Sequence, residues 1–196
     1  MMRQHTVVVT GTSGAAYGLR LVEQLLGVGG VDLVFTPSGA RVASRELGLD
    51  LPSGAARESV TRFLELRPDL PLTVAIGEAA PASEGVSAPH SATIVAPASA
   101  EFLQGLAWGG ATSPVSRMVR SAMRMGRQMI VVPRQTPIDG VDLRALTMLA
   151  DAGVRVVPAS PALPRPPASV DDMVNHVVGV VLDVLGVAHD LAGGSR

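Results

Sequence analysis

Short runs of consecutive apolar residues, several of them rich in Val, Ile and Thr, alternate along the chain with stretches whose apolar positions recur at helical spacing. The runs are residues 6–10 (TVVVT), 31–36 (VDLVFT), 72–76, 92–96 (ATIVA), 129–132 and 154–157. Each has strand length and is mostly apolar at successive positions, which reads as a strand covered on both faces. Helical patterns follow at 15–26, 38–47, 55–66, 99–108, from Ser113 onward, at 141–152 and at 169–185. Ser38 reads as the N-cap of the second of these, and Ser113-Pro114 opens the fifth with a cap residue before proline at the first position. Ser169-Val170-Asp171-Asp172 gives the last helix an acidic first turn. Strand–helix alternation with apolar strands predicts an α/β fold, a parallel sheet with helices on both faces.

Two stretches break the alternation. Residues 77–89 (GEAAPASEGVSAP) are rich in small residues and proline and read as a loop; residues 158–167 carry five prolines and read as a stiff extended loop. The tail, about residues 190–196, is expected to be mobile. With 196 residues and no internal repeat, the chain is expected to form one domain over 1–196.

Composition narrows the chemistry. Hydrophobic residues make up 47% and charged residues 17%, as in a globular protein. No apolar run reaches the roughly 20 residues that span a bilayer, so no membrane partner is expected and the cytoplasm is the expected location. There is no cysteine, which removes disulfides, thiolate metal sites and thiol nucleophiles. All 16 basic residues are arginine, so neither a lysine Schiff base nor a phosphate-loop lysine is available. A net charge of -1 and five aromatic residues give no pull toward nucleic acid. His5, His90, His176 and His189 show no metal-ligand spacing, so no metal is expected.

In parallel α/β sheets, ligands bind at the carboxyl ends of the strands. Four of those ends carry small or hydroxyl-bearing turns that lead into helices: Gly11-Thr12-Ser13-Gly14, Thr36-Pro37-Ser38-Gly39, Pro97-Ala98-Ser99-Ala100 and Pro133-Arg134-Gln135-Thr136. Amides at helix starts together with hydroxyls make anion sites, and four on one edge suggest a phosphate-bearing cofactor. The first turn is neither the dinucleotide fingerprint nor a nucleophile elbow. Arg117, Arg120, Arg124 and Arg127, spaced 3, 4 and 3, put four guanidinium groups on one stripe of a helix. Such a stripe is either a solvated face offset by acidic neighbours or, at one or two positions near the strand edge, a phosphate contact. His90 is either a loop histidine with a local hydrogen bond or a general base.

In order along the chain stand G-T-S-G-A-A-Y-G-L-R-L at 11–21, S-A-P at 87–89, P-A-S at 97–99, V-V-P-R-Q-T-P at 131–137 and S-V-D-D at 169–172. On this set the chain resembles the UbiX-type flavin prenyltransferases of the flavin-containing decarboxylase-like superfamily, over about residues 6–186. The resemblance implies a flavodoxin/Rossmann-like three-layer fold that binds FMN between subunits. It implies a homo-oligomer built from trimers, in many members a dodecamer. The implied reaction is metal-independent: a dimethylallyl group passes from its phosphate to reduced FMN, and the prenylated FMN serves a UbiD-type decarboxylase.

Carried over residue by residue, the resemblance assigns the first FMN turn to Gly11, Thr12 and Ser13. Thr36 stands where the family has serine, and Ser99, Ala100, Glu101 and Phe102 form a second FMN segment. Arg134 is the implied FMN-contacting arginine. Ser13, Glu46, Arg117 and Arg124 are the implied catalytic set, with Glu46 managing protons near the flavin and Arg117 in the phosphate pocket. Four positions depart from the family: Arg124 replaces a lysine, Gln135 a glutamate, Pro164 a tyrosine that binds prenyl phosphate, and Val180 an arginine that assists it. Loss of the last two would forfeit roughly 3–6 kcal/mol of phosphate binding. Two alternatives follow: an FMN carrier that has lost prenyl transfer, or an FMN-dependent oxidative decarboxylase of the peptidyl-cysteine type, whose P-A-S-A segment matches residues 97–100.

Overall fold

The apolar runs lie side by side in one sheet. The structure, a computed structural model, describes residues 3–51, 55–78, 92–161 and 169–191. Its strands are β1 (Arg3–Val9), β2 (Gly29–Phe35), β3 (Leu72–Ile76), β4 (Ala92–Ala98), β5 (Gln128–Pro133) and β6 (Arg155–Val156). They form a six-stranded sheet in the order β3-β2-β1-β4-β5-β6, and every neighbouring pair is parallel. The order reverses between β1 and β4, which makes that boundary the switch point where such sheets open a crevice.

The helices are α1 (Ala15–Leu25), α2 (Pro37–Leu47), α3 (Ala56–Phe63), α4 (Ala100–Ala107), α5 (Pro114–Arg124), α6 (Gly140–Asp151) and α7 (Val170–Leu185). Because strand side chains alternate between faces, the two cores are read from adjacent residues of β1. Val7 and Val9 pack with Leu33, Ile94, Leu19 of α1 and Val181 of α7, whereas Val8 packs with Val34, Val95, Leu106 of α4, Val119 of α5 and Leu149 of α6. The expected three-layer fold with helices on both faces is what forms. Among the described residues, no helix is long and apolar enough to cross a membrane.

Three local expectations are corrected. Thr36, not Ser38, caps α2: its hydroxyl accepts from the Gly39 amide, and Pro37 takes the first helical position. The strand expected at 92–96 runs on through Pro97 to Ala98, across a register irregularity after Val95. A residue without an N–H is tolerated where the ladder is already interrupted. The last strand shrinks to Arg155–Val156 at the sheet's edge, although the Val157 amide still donates to Val131. The caps expected at Ser99, Ser113 and Ser169 form, and Ser169 makes a full capping box with Asp172. Most of the 77–89 loop, His90, Pro164 and the end of the tail lie outside the described residues.

Helix α1 crosses β1 and β4 at a glycine. A Cβ on Gly18 would lie 2.5 Å from the Ala96 carbonyl oxygen and 2.6 Å from a Val9 methyl. The helix therefore rests backbone-close on the two central strands, with Leu19, Leu21, Val22 and Leu25 buried around it. Gly18→Ala should destabilise the fold by about 1–3 kcal/mol despite alanine's better helix propensity. Urea denaturation measures this; a midpoint at or above that of the wild type would show that the helix has room to lift.

Candidate functional site

Threonine 10 joins the two central strands at their carboxyl ends. Its hydroxyl donates to the Pro97 carbonyl at 2.7 Å and accepts from the Ser99 amide at 2.8 Å, while its own amide donates to Pro97 at 3.2 Å. The first turn leaves β1 from this knot. Thr12 donates to the Arg134 carbonyl at 2.8 Å, and the Arg134 amide donates to Ala98 at 3.1 Å, so the ends of β1, β4 and β5 are tied together.

Gly14 then adopts φ 106°, a left-handed conformation that favours glycine, and it caps α1 with no side chain of its own. Glu46, near the end of α2, supplies the cap. Its Oε2 accepts the Gly14 and Ala15 amides at 3.0 and 3.1 Å, and Oε1 stands 3.3 Å from the Gly14 amide. Burial works to raise the Glu46 carboxyl; the Ser13 hydroxyl, these two amides and the Arg134 charge outweigh it and hold the group below its ordinary value. Glu46 is therefore ionised at neutral pH, at the positive end of α1.

Beside this turn lies a cleft of about 260 Å³. Gly11 and Thr10 border it from β1, and Thr36 and Ser38 from the start of α2. Ser99, Glu101 and Phe102 border it from the start of α4, and Thr112, Ser113 and Ser116 from the start of α5. Three helices thus begin at one cleft, each capped by a hydroxyl on only one of its free amides: Thr36 on Gly39, Ser99 on Phe102 and Ser113 on Ser116. Helix starts have up to four amides without partners in the helix, so amides are left to face an anion or polyol. Gly11 keeps the turn close to α2, since a Cβ there would meet the Ser38 hydroxyl at 2.4 Å.

The residues singled out in the sequence divide into three groups. Gly11, Thr36, Ser99, Glu101 and Phe102 line the cleft, with Ala100 as the first residue of α4. Thr12, Ser13, Glu46 and Arg134 form the neighbouring cluster at the start of α1. Arg117 and Arg124 do not line the cleft. The Arg117 guanidinium donates to the Thr112 carbonyl, and Arg120 donates to the Leu106 carbonyl at 2.9 Å. Arg124 is exposed in the last turn of α5. Sequence reading missed Thr10, which is visible as a polar residue closing an apolar strand. It also missed Thr112 and Ser116, which carry no local signal beyond standing beside the Ser113 cap.

A family model described as Flavoprotein matches residues 2–182. The flavin prenyltransferase UbiX of Saccharolobus solfataricus is 32% identical over 184 residues, covering 93% of this chain and 87% of that protein. The crystal structure of a dodecameric FMN-dependent UbiX-like decarboxylase from Escherichia coli O157:H7 superposes with a TM-score of 0.78 at 28% identity, covering 98% of each chain. A UbiX (PadA1) solved with FMN and dimethylallyl pyrophosphate superposes with a TM-score of 0.79 over 100% of this chain and 97% of that one; at 23% identity it speaks to the fold. The order of strands, the glycine-tight first turn and these likenesses over nearly the full length place the chain in the Flavoprotein family, among the UbiX flavin prenyltransferases.

Proposed function

We propose that the protein is a metal-independent flavin prenyltransferase that binds FMN at the sheet's switch point and joins a dimethylallyl group from its phosphate to the reduced flavin. The observation that carries this is the convergence of three helix starts and a glycine-tight turn on one cleft beside an ionised carboxylate. The residues present fit FMN. Free amides and the hydroxyls of Thr36, Ser38, Ser99 and Ser113 suit a phosphate and a ribityl chain. The cleft is smaller than the roughly 300–1,000 Å³ of pockets that enclose a whole ligand, so the ring system would extend past it toward the Ser13–Glu46–Arg134 cluster.

When bound, the reduced flavin supplies the nucleophile, and the prenyl carbon gives up its bond to phosphate oxygen. The chain's own residues position and moderate charge. Arg134, held at its backbone by Thr12 and Ala98, would contact the flavin. Glu46 directs Oε2 at two amides, which leaves Oε1 less engaged with the backbone and able to hold a proton at the reacting edge. Ser13 would relay between that carboxylate and the ligand.

The prenyl phosphate needs cations, and in this reading Arg117 and Arg124 of α5 supply them across a subunit boundary. A homo-oligomer is supported by exposed apolar residues on and just before α6: Ile138, Val141, Leu143 and Met148 are each 38–56% exposed. The recipient of the product in this reading is a UbiD-type decarboxylase in the same cytoplasm. Val180 favours a second reading. It packs half-buried against the α1/α7 core, where it gives the phosphate no charge, as expected of an FMN carrier without turnover.

Anaerobic incubation with reduced FMN and dimethylallyl monophosphate or diphosphate separates the two readings. The transferase should yield a flavin heavier by one prenyl unit, read by mass spectrometry. Tight FMN with no such product from either donor selects the carrier, and no flavin binding at all removes both. Glu46→Gln should leave FMN bound but lower the prenylation rate by about 10²-fold or more, the usual size of a lost proton-transfer group.

The same carboxylate makes stability depend on pH. A depressed folded value means that the contribution of Glu46 is fully present above its ordinary 4.5 and is lost as the pH falls from there through the folded value. The wild-type melting temperature should therefore fall more steeply with acid than that of Glu46→Gln, and the gap between them should close. Parallel curves would show that the cap does not depend on charge.

A further inference from the structure

The cleft that would take the flavin's phosphate is unusual in its charge. Hydroxyls from Thr36, Ser38, Ser99, Thr112, Ser113 and Ser116 surround it, and among the described residues no arginine or histidine lines it. The one ionisable lining residue is Glu101. It sits in the first turn of α4, two residues after the Ser99 cap, where a carboxylate is favoured by its own helix. Glu101 is exposed and lines the space that the starts of α2, α4 and α5 share.

A phosphate monoester carries about -1.5 to -2 charges at pH 7. Amides of the helix starts attract it, and Glu101 repels it. An uncharged polyol feels neither term strongly, and the hydroxyl lining serves it equally well. We propose that Glu101 sets cofactor specificity by holding down this cleft's preference for FMN over riboflavin, the same flavin without its phosphate. This rests on the reading of the cleft as a flavin site. In a cleft with a cation, that carboxylate would be paired and its effect small. Here the phosphate relies on uncharged amides and hydroxyls, and one opposing charge is felt across the partly solvated gap.

The test is flavin binding, followed by quenching of flavin fluorescence, for wild type and Glu101→Gln. Glutamine keeps the length and planar end of the side chain, and a melting curve checks the fold. At low salt, Glu101→Gln should bind FMN about three- to tenfold more tightly, with riboflavin changed by less than about twofold. The gain should shrink as salt is raised, because the repulsion is screened. Glu101→Lys should carry the FMN gain further in the same direction. Equal weakening of both flavins would overturn the proposal, since Glu101 would then be accepting hydrogen bonds from the polyol or ring. Unchanged affinities would overturn it too. A wild type that binds neither flavin removes the flavin reading and this inference together, whereas a wild type that binds FMN with an unresponsive variant removes only the inference.

Discussion

The Thr10 knot is the constraint on which the site depends. One hydroxyl and one amide of Thr10 hold Pro97 and Ser99, so the carboxyl ends of β1 and β4 cannot separate. The start of α4 and the turn into α1 are fixed to the same two strands, and both border the chemistry. The knot is buried, with Thr10 only 1% exposed, so losing the hydroxyl would leave the Ser99 amide and one acceptor position of Pro97 unsatisfied. Such orphaned groups cost about 1–3 kcal/mol. Gly18 completes the arrangement from below by letting α1 rest against Ala96 and Val9. Sheet, turn and helix are thereby referenced to one point, and a cofactor laid there meets groups whose relative positions are set by backbone.

The four helix starts at this edge are treated in two ways. At α2, α4 and α5 a hydroxyl from the chain takes one amide, Pro37 and Pro114 have none to give, and what remains of each first turn is left for a ligand. At α1 the cap is a full carboxylate borrowed from α2, and it takes two. The difference sorts the edge electrically. Three starts keep their positive ends available to an anion, and the fourth is neutralised by a group that is itself negative. An anion is therefore guided to the cleft and away from α1, while the Glu46 carboxylate beside it is held ionised. The carboxylate and the cleft draw on the starts of different helices and do not compete for the same dipole.

Most of the sheet and all of the capping serines were legible in the sequence, because apolar strand runs and Ser-Pro or Ser-x-x-Asp starts are local signals. The strand order was not, since the pairing of β1 with β4 is a contact between residues about 87 apart. Ser38 looked like a cap because serine before a helical pattern usually is one. Thr36 won because Pro37 already has the φ of a first helical residue. Pro97 lies beyond the apolar run at 92–96 and still belongs to β4, because the register there is irregular, which no local pattern announces. In the site, the turns at Gly11 and Ser99 announced themselves by composition. The role of Glu46 did not: it lies 31 and 32 residues from the two amides it caps, and only family resemblance drew attention to it. Thr112 and Ser116 were invisible because they matter only through where α5 begins.

The strongest charge signal in the sequence points away from the cleft in a single chain, and this bears on how the enzyme must be built. Arg117 spends a hydrogen bond on the Thr112 carbonyl just before its own helix, and Arg120 spends one on the Leu106 carbonyl, which fixes α5 against the end of α4. Arg124 occupies the last turn, where the helix dipole favours a cation for structural reasons alone. Ser116 lines the cleft, and Arg124 follows eight residues later, about 12 Å further along the axis. The chain therefore separates the cleft from the exposed Arg124 by most of the length of α5. Arg134, whose charge reaches Glu46 beside the first turn, is a cation that this chain itself brings near the cleft. The exposed arginine at the end of α5 is thus available to a neighbour rather than to the cleft of its own chain.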